Sequence, residues 1–169
     1  MNGDWRYKAT SITKYNPIYR DEIGRYKREE WIGFFQINKV INGVKFTFET
    51  YLVTEEKYIQ AAHCFFEFHK CVKIILKNVD RYDFSDYKYD DREELLSVYN
   101  EVGSGYVVTK DKLSLVIKLI LRELLWAELF CGTSSVAVRF GWDYYMYFSS
   151  SLDLTPVFEK VQEIGLYVY

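Results

Sequence analysis

"LSLVIKLILRELLWAELF", residues Leu113–Phe130, is the most apolar run in the chain, and its reading decides the fold. It approaches the length of a bilayer-spanning helix, but Lys118, Arg122, Glu123 and Glu128 interrupt it, and a spanning helix carries few charges. A core element is the remaining reading. Leu113, Val116, Ile117, Ile120, Leu121 and Leu124 recur at i, i+3, i+4, i+7, i+8 and i+11, which predicts a helix from Asp111 to Trp126. Leu115, Leu119 and Leu125 add apolar surface on other faces, so this helix must be covered on more than one side. Ser114, Lys118 and Arg122 form its polar stripe. "WAELF" then begins a hairpin that turns at Gly132-Thr133-Ser134 into "SVAVRFGWDYYMYF", residues 135–148.

That second arm is crowded with rings: five of the seven residues from Trp142 to Phe148 are aromatic. Side chains alternate along a strand, which places Val138, Phe140, Trp142, Tyr144, Met146 and Phe148 on a core side. The opposite side carries Arg139, Gly141, Asp143, Tyr145 and Tyr147, which is neither a core list nor that of an idle solvated face. Another element could cover it. Tyrosine, tryptophan and arginine are also the types most enriched among binding hot spots, so Asp143, Tyr145 and Tyr147 are candidate contact residues. On this view, tyrosines left over after the interior is filled are displayed outward beside carboxylates.

Around this centre, "WRYKATSITKY" (5–15) reads as a first strand ended by Asn16-Pro17, and a polar loop runs on to Trp31. Asn42-Gly43 suits a type I′ hairpin, because both residues accept positive φ cheaply. Helical spacing from about Thr50 to Lys70 predicts a first long helix with Thr47 or Thr54 as N-cap. Residues 72–79 read as a strand, 80–94 as an acidic loop or insertion, and "REELLSVYNEV" as a short helix. "DLTPVFEKVQEIGLYVY" combines a cap at Asp153 or Thr155, Pro156 in the first turn and Gly165 after the end, and "LYVY" is a closing strand. Strands and helices without βαβ alternation point to α+β: one domain over 1–169, an antiparallel or mixed sheet packed against two long helices and a short C-terminal helix.

The 169 residues suit a single domain that buries roughly two thirds of its extended surface. A formal charge of −2 argues against a general nucleic-acid binder. The charge is nevertheless polarised: residues 1–45 hold nine Lys/Arg against five Asp/Glu, and 80–94 hold seven acids against three bases. In the basic segment Lys14, Arg20, Arg25, Lys27 and Arg28 interleave with Tyr15, Tyr19, Tyr26 and Trp31, as in single-strand binders. Asp21, Glu22, Glu29 and Glu30 sit among them, so the segment reads either as an RNA- or nucleotide-binding loop or as one pinned by its own ion pairs.

Three cysteines, Cys64, Cys71 and Cys131, and no signal peptide argue against a disulfide framework and for the cytoplasm. His63 and His69 stand roughly 120° apart on a helix, which does not suit one shared metal ion, so they read as helix-surface histidines, and no cofactor is expected. No Gly-x-Ser-x-Gly elbow surrounds a serine. An enzyme with a cleft at Arg122, Glu123 and Asp143 is a further alternative, but a non-enzymatic protein is the main expectation.

"DRYDFSDYKYDDREE" (80–94) offers carboxylates between rings, a pattern that complements a basic groove. Its candidate contact residues are Asp83, Asp86, Tyr87, Tyr89, Asp90 and Asp91. "TKYNPIYRDEIGRYKREEW", "LRELLW", "GWDYYMY" and the terminal "GLYV" together resemble small bacterial proteins associated with immunity to polymorphic or contact-dependent growth-inhibition toxins. Lys14, Tyr15, Asn16, Pro17, Arg20, Asp21, Gly24 and Tyr26 carry the likeness. After Trp31, "IGFFQINK" departs from the Ser-Asp-Ile-Gly-like pattern of that family. The resemblance implies a cytoplasmic protein that binds a cognate toxin domain, often a nuclease, and blocks it without catalysis, without a membrane and without catalytic residues.

Overall fold

In the computed structural model, which describes residues 9–169, the chain enters the sheet at β1 (Thr10–Thr13), so the Trp5–Lys8 part of the expected first strand lies outside the described residues. A long connection follows, and then the Asn42-Gly43 hairpin: β2 (Val40–Ile41) and β3 (Val44–Lys45) pair as a separate two-stranded sheet, with Asn42 at φ 51° and Gly43 at φ 74°. α1 (Phe48–Phe68) is the long helix, and its N-cap Thr47 accepts the Thr50 N–H at 3.3 Å. β4 (Ile74–Arg81), α2 (Arg92–Glu101), β5 (Val107–Val108), α3 (Leu113–Leu121), β6 (Leu125–Cys131), β7 (Ala137–Phe140) and β8 (Tyr145–Ser149) come next. α4 (Thr155–Ile164) starts where Asp153 Oδ1 accepts the Thr155 N–H at 3.0 Å, ends at left-handed Gly165, and leads to β9 (Tyr167–Val168).

The main sheet has the order β5-β4-β6-β7-β8-β1-β9, and every pairing is antiparallel. Ile12, Leu76, Ala127, Leu129, Val138, Phe140, Met146 and Phe148 form one buried core with the apolar faces of the helices. The fold is α+β as expected, but only one helix is long.

The expected second long helix is the nine-residue α3. The Leu113–Phe130 run divides because Glu123 takes a left-handed conformation (φ 60°). Its N–H bonds to Ile120 O at 3.1 Å and the Leu124 N–H bonds to Leu119 O at 2.9 Å, the two bonds of a Schellman ending. The apolar period continued past this stop only because Leu124 at the junction and Leu125 at the start of β6 are also buried, and helix and strand both demand apolar residues. The polar stripe explains where the helix lies: Ser114 Oγ meets His63 Nε2 at 3.0 Å, and Arg122 at the helix end pairs with Glu55 at 2.7 Å. Two contacts, each eight residues apart on both helices, set α3 antiparallel against α1. Glutamate in the left-handed region is strained by about 1 kcal/mol, so Glu123→Gly is expected to raise stability by up to about that amount. A lower urea midpoint for this variant would contradict the strain argument.

The single strand expected over 135–148 is two. β7 stops at Phe140, and Gly141–Tyr144 turn back with Asp143 at φ 57° and Tyr144 at φ 61°. Phe140 and Met146 are cross-strand partners, so the predicted inward set survives on both arms. Trp142 is the exception: it sits at the turn and is 88% exposed instead of core.

Cys71 and Cys131 form a disulfide with Cα atoms 5.6 Å apart, and Cys64 is free. This corrects the expectation of unpaired thiols. Lys70 at φ 49° turns the chain out of α1, and Ile74 pairs with Cys131 in the sheet, so the two cysteines come to one corner. Such a bond is at odds with a reducing cytoplasm. No helix among the described residues is long and apolar enough to cross a membrane.

Candidate binding surface at one end of the sheet

The antiparallel register decides which loops become neighbours. Arg81 at the end of β4 pairs with Leu125 at the start of β6, Phe140 at the end of β7 pairs with Met146 in β8, and Thr13 at the end of β1 pairs with Tyr145. The acidic segment 82–91, the 122–124 junction and the 141–144 turn therefore leave the same end. Tyr82 N–H bonds to Leu124 O at 3.1 Å and ties the first two together. The two patches expected separately, around Asp83–Asp91 and around Asp143, thus share one end of the molecule.

Within the acidic segment the rings and the carboxylates separate. Tyr87 is only 4% exposed, and Phe84 is buried beside it. Tyr89 is half-buried, with its ring 4.1 Å from that of Phe48 and 5.2 Å from that of Phe34. Asp91 accepts from Tyr87 Oη at 2.6 Å and from Arg122 at 2.6 Å. Burial works to raise the Asp91 carboxyl, but the hydrogen bonds from Tyr87 and Arg122 prevail and hold it below the ordinary value. Asp91 and Tyr87 thus anchor the segment to the core. Asp83, Asp86 and Asp90 are exposed. Asp83 caps the Ser85 N–H and hydroxyl, both at 2.8 Å, and these bonds hold its carboxyl below the usual range.

The expectation that the strand tyrosines are displayed outward is also corrected. Tyr145 and Tyr147 are half-buried, 6.4 Å apart between rings. Arg20 donates to Tyr145 Oη, and the Tyr15 ring lies 5.7 Å from that of Tyr145, so the basic loop covers it. Tyr147 packs over Gly141, where a Cβ would lie 2.8 Å from the ring; the glycine permits that approach. Asp143 does face solvent. Alternation identifies the face of a strand correctly, but it carries no information about a distant loop laid over that face.

Two exposed features of this end escaped the periodic reading. Trp142 is one, and the residue types Gly141 and Asp143 flanking it were its available signal as turn formers. Glu123 is the other: exposed by area, its carboxyl nonetheless reaches Gly33, whose Cβ would lie 2.5 Å from Oε1. Burial raises its pKa, the Phe34 backbone opposes this, and Asp143 adds to it. Tyr82 and Phe35 also expose large parts of their rings. Among the described residues none of Asp83, Asp86, Asp90, Glu123 and Asp143 forms an ion pair.

The alternative sites fare differently. Lys14 pairs with Glu30 at 3.0 Å, Lys27 with Asp21 at 2.7 Å, and Arg28 lies 3.8 Å over the Tyr19 ring, so much of the basic loop is engaged internally. Arg122 turns inward onto Glu55 while Glu123 and Asp143 face solvent, and neither of the cavities along α1 and α4 is lined by any of these three. His69 bonds to Phe65 O and Ser150 Oγ, both at 2.8 Å. No protein-family model, curated protein or solved structure matches this chain.

Proposed function

We propose that this protein binds and neutralises a cognate toxin domain with a basic active-site groove, a nuclease in chemistry, by laying the acidic end of its sheet over that groove. The observation that carries the reading is the convergence of Asp83, Asp86, Asp90, Glu123 and Asp143, none of them ion-paired among the described residues, with the exposed rings of Trp142, Tyr82 and Phe35. A groove built to hold phosphates presents lysine and arginine, and carboxylates between rings complement it. Exposed rings supply affinity, because they bury much area with few rotamers to lose. Carboxylates supply speed by steering the encounter. The buried Tyr87 and the half-buried Asp91 keep the acidic segment in position beneath its exposed members.

The test is isothermal titration and surface-based kinetics with the protein encoded immediately upstream. The triple charge reversal Asp83→Lys, Asp86→Lys and Asp90→Lys is expected to slow association by about 10- to 100-fold at low salt, with the difference shrinking as salt is added. Trp142→Ala is expected to speed dissociation and cost about 2 kcal/mol or more. Absence of a complex, or a complex indifferent to all four changes, would sink the reading. Salt-sensitive RNA binding that is abolished by Lys14→Ala and Arg20→Ala would favour the nucleic-acid alternative instead.

A further inference from the structure

Ser114 lies in the first turn of α3 and His63 on α1, with Oγ and Nε2 3.0 Å apart. The pair lines a groove of about 510 Å³, with Glu56 and Cys64 of α1 and Lys160 and Glu163 of α4 among its other lining residues. The other serine–histidine contact of the chain is different in kind: Ser150 Oγ also accepts the Leu152 N–H at 3.0 Å, and His69 Nδ1 bonds to Phe65 O, so that pair completes the end of α1 and the following turn.

We propose that Ser114 and His63 form a nucleophile and base that take an acyl group from small activated esters entering this groove. A serine hydroxyl is a weak nucleophile unless a base stands within hydrogen-bond reach, and His63 does. As Ser114 Oγ attacks the ester carbonyl carbon, His63 Nε2 takes its proton and the carbonyl oxygen becomes an oxyanion. Leu113 and Val116 donate their N–H groups to Thr109 O at 3.1 Å and Lys112 O at 3.0 Å, while among the described residues no backbone carbonyl receives the N–H of Ser114 or Leu115. The first-turn amide of Ser114, the α3 residue that lines the groove, is the donor for the oxyanion. The bond to the alcohol oxygen then breaks, and His63 returns the proton to the departing alkoxide. Water next attacks the acyl-serine with His63 again as base, releasing a carboxylic acid and restoring the hydroxyl. Ester and water are the only reactants.

Burial pushes His63 below the ordinary histidine value; Glu67 opposes this, Lys110 assists it and Glu56 opposes it. From α4, Lys160 and Glu163 face the same groove. The imidazole is therefore neutral, and able to accept a proton, through neutral pH.

The experiment incubates the full chain with p-nitrophenyl acetate. A burst of p-nitrophenolate is expected, with acetyl on the Ser114 peptide by mass spectrometry and a rate that is flat through neutral pH and falls only under acid conditions. Ser114→Ala should remove the adduct, and His63→Gln should slow its formation by about 100-fold or more. Ser150→Ala, in the serine–histidine contact outside the groove, should leave both unchanged. Acetyl on Cys64 or Lys160, an undiminished rate in Ser114→Ala or His63→Gln, or no release above buffer would overturn the proposal. Unchanged melting of His63→Gln keeps the result interpretable should Ser114→Ala fold poorly. The groove shares no residue with the surface proposed for the toxin, so failure of one reading leaves the other standing.

Discussion

Arg122→Ala is expected to destabilise the protein by about 3–5 kcal/mol, the range for breaking a buried ion pair by removing one partner. The side chains of Arg122 and Glu55 are 1% and 2% exposed. Two parallel bonds of 2.7 Å, Nε to Oε2 and Nη2 to Oε1, join them, and Nη1 donates to Asp91 and to Tyr87 Oη. Without the guanidinium, Glu55 is left in the core with no compensating charge, and the acidic segment loses its anchor. For a chain of this length each kcal/mol moves the melting temperature by about 2–4 °C, so a fall of about 10 °C is expected. Glu55→Leu combined with Arg122→Met should recover much of the loss, because well-packed apolar replacements of buried pairs are often neutral. Thermal and urea melts of the single and double variants decide the matter. A loss under about 1 kcal/mol for Arg122→Ala would mean that water reaches this pair.

Reduction of Cys71–Cys131 is the second large effect. The bond closes 60 residues of chain. In the chain-entropy account, loops of this size lose about 4 kcal/mol of stability when the cross-link is cut. Urea unfolding with and without reductant should differ by about that amount in the wild type and not at all in Cys71→Ser. Three titratable thiols in the protein purified without reductant would contradict the bridge. The outcome also bears on where the protein works: a protein that needs this bond for stability belongs in an oxidising surrounding, whereas one that folds fully reduced is at home in the cytoplasm.

Much of this architecture was legible from local rules. Thr47, Asp153, Pro156 and Gly165 marked helix ends because capping is a matter of a few adjacent residues and the four orphan groups at each terminus. Asn42-Gly43 marked its turn because positive φ is tolerated by few residue types. The inward row from Val138 to Phe148 was readable apart from Trp142, because alternation on a strand is set by backbone geometry alone.

What the chain determined unaided was therefore most of its element types and buried faces and the single α+β domain, all consequences of side-chain periodicity and terminal chemistry acting over short stretches. The helix stop at Glu123, the disulfide at one corner of the sheet, the inward turn of Arg122 and the burial of Tyr87 and Tyr145 were decided only in three dimensions. Apart from the helix stop, whose bonds reach only Ile120 and Leu119, each depends on a partner far along the chain: Arg122 on Glu55, Cys71 on Cys131, Tyr145 on Arg20, Tyr87 on Arg122. Periodicity says that a side chain leaves solvent or meets it on a given face, but not which distant segment closes over it, since that follows from strand order and register.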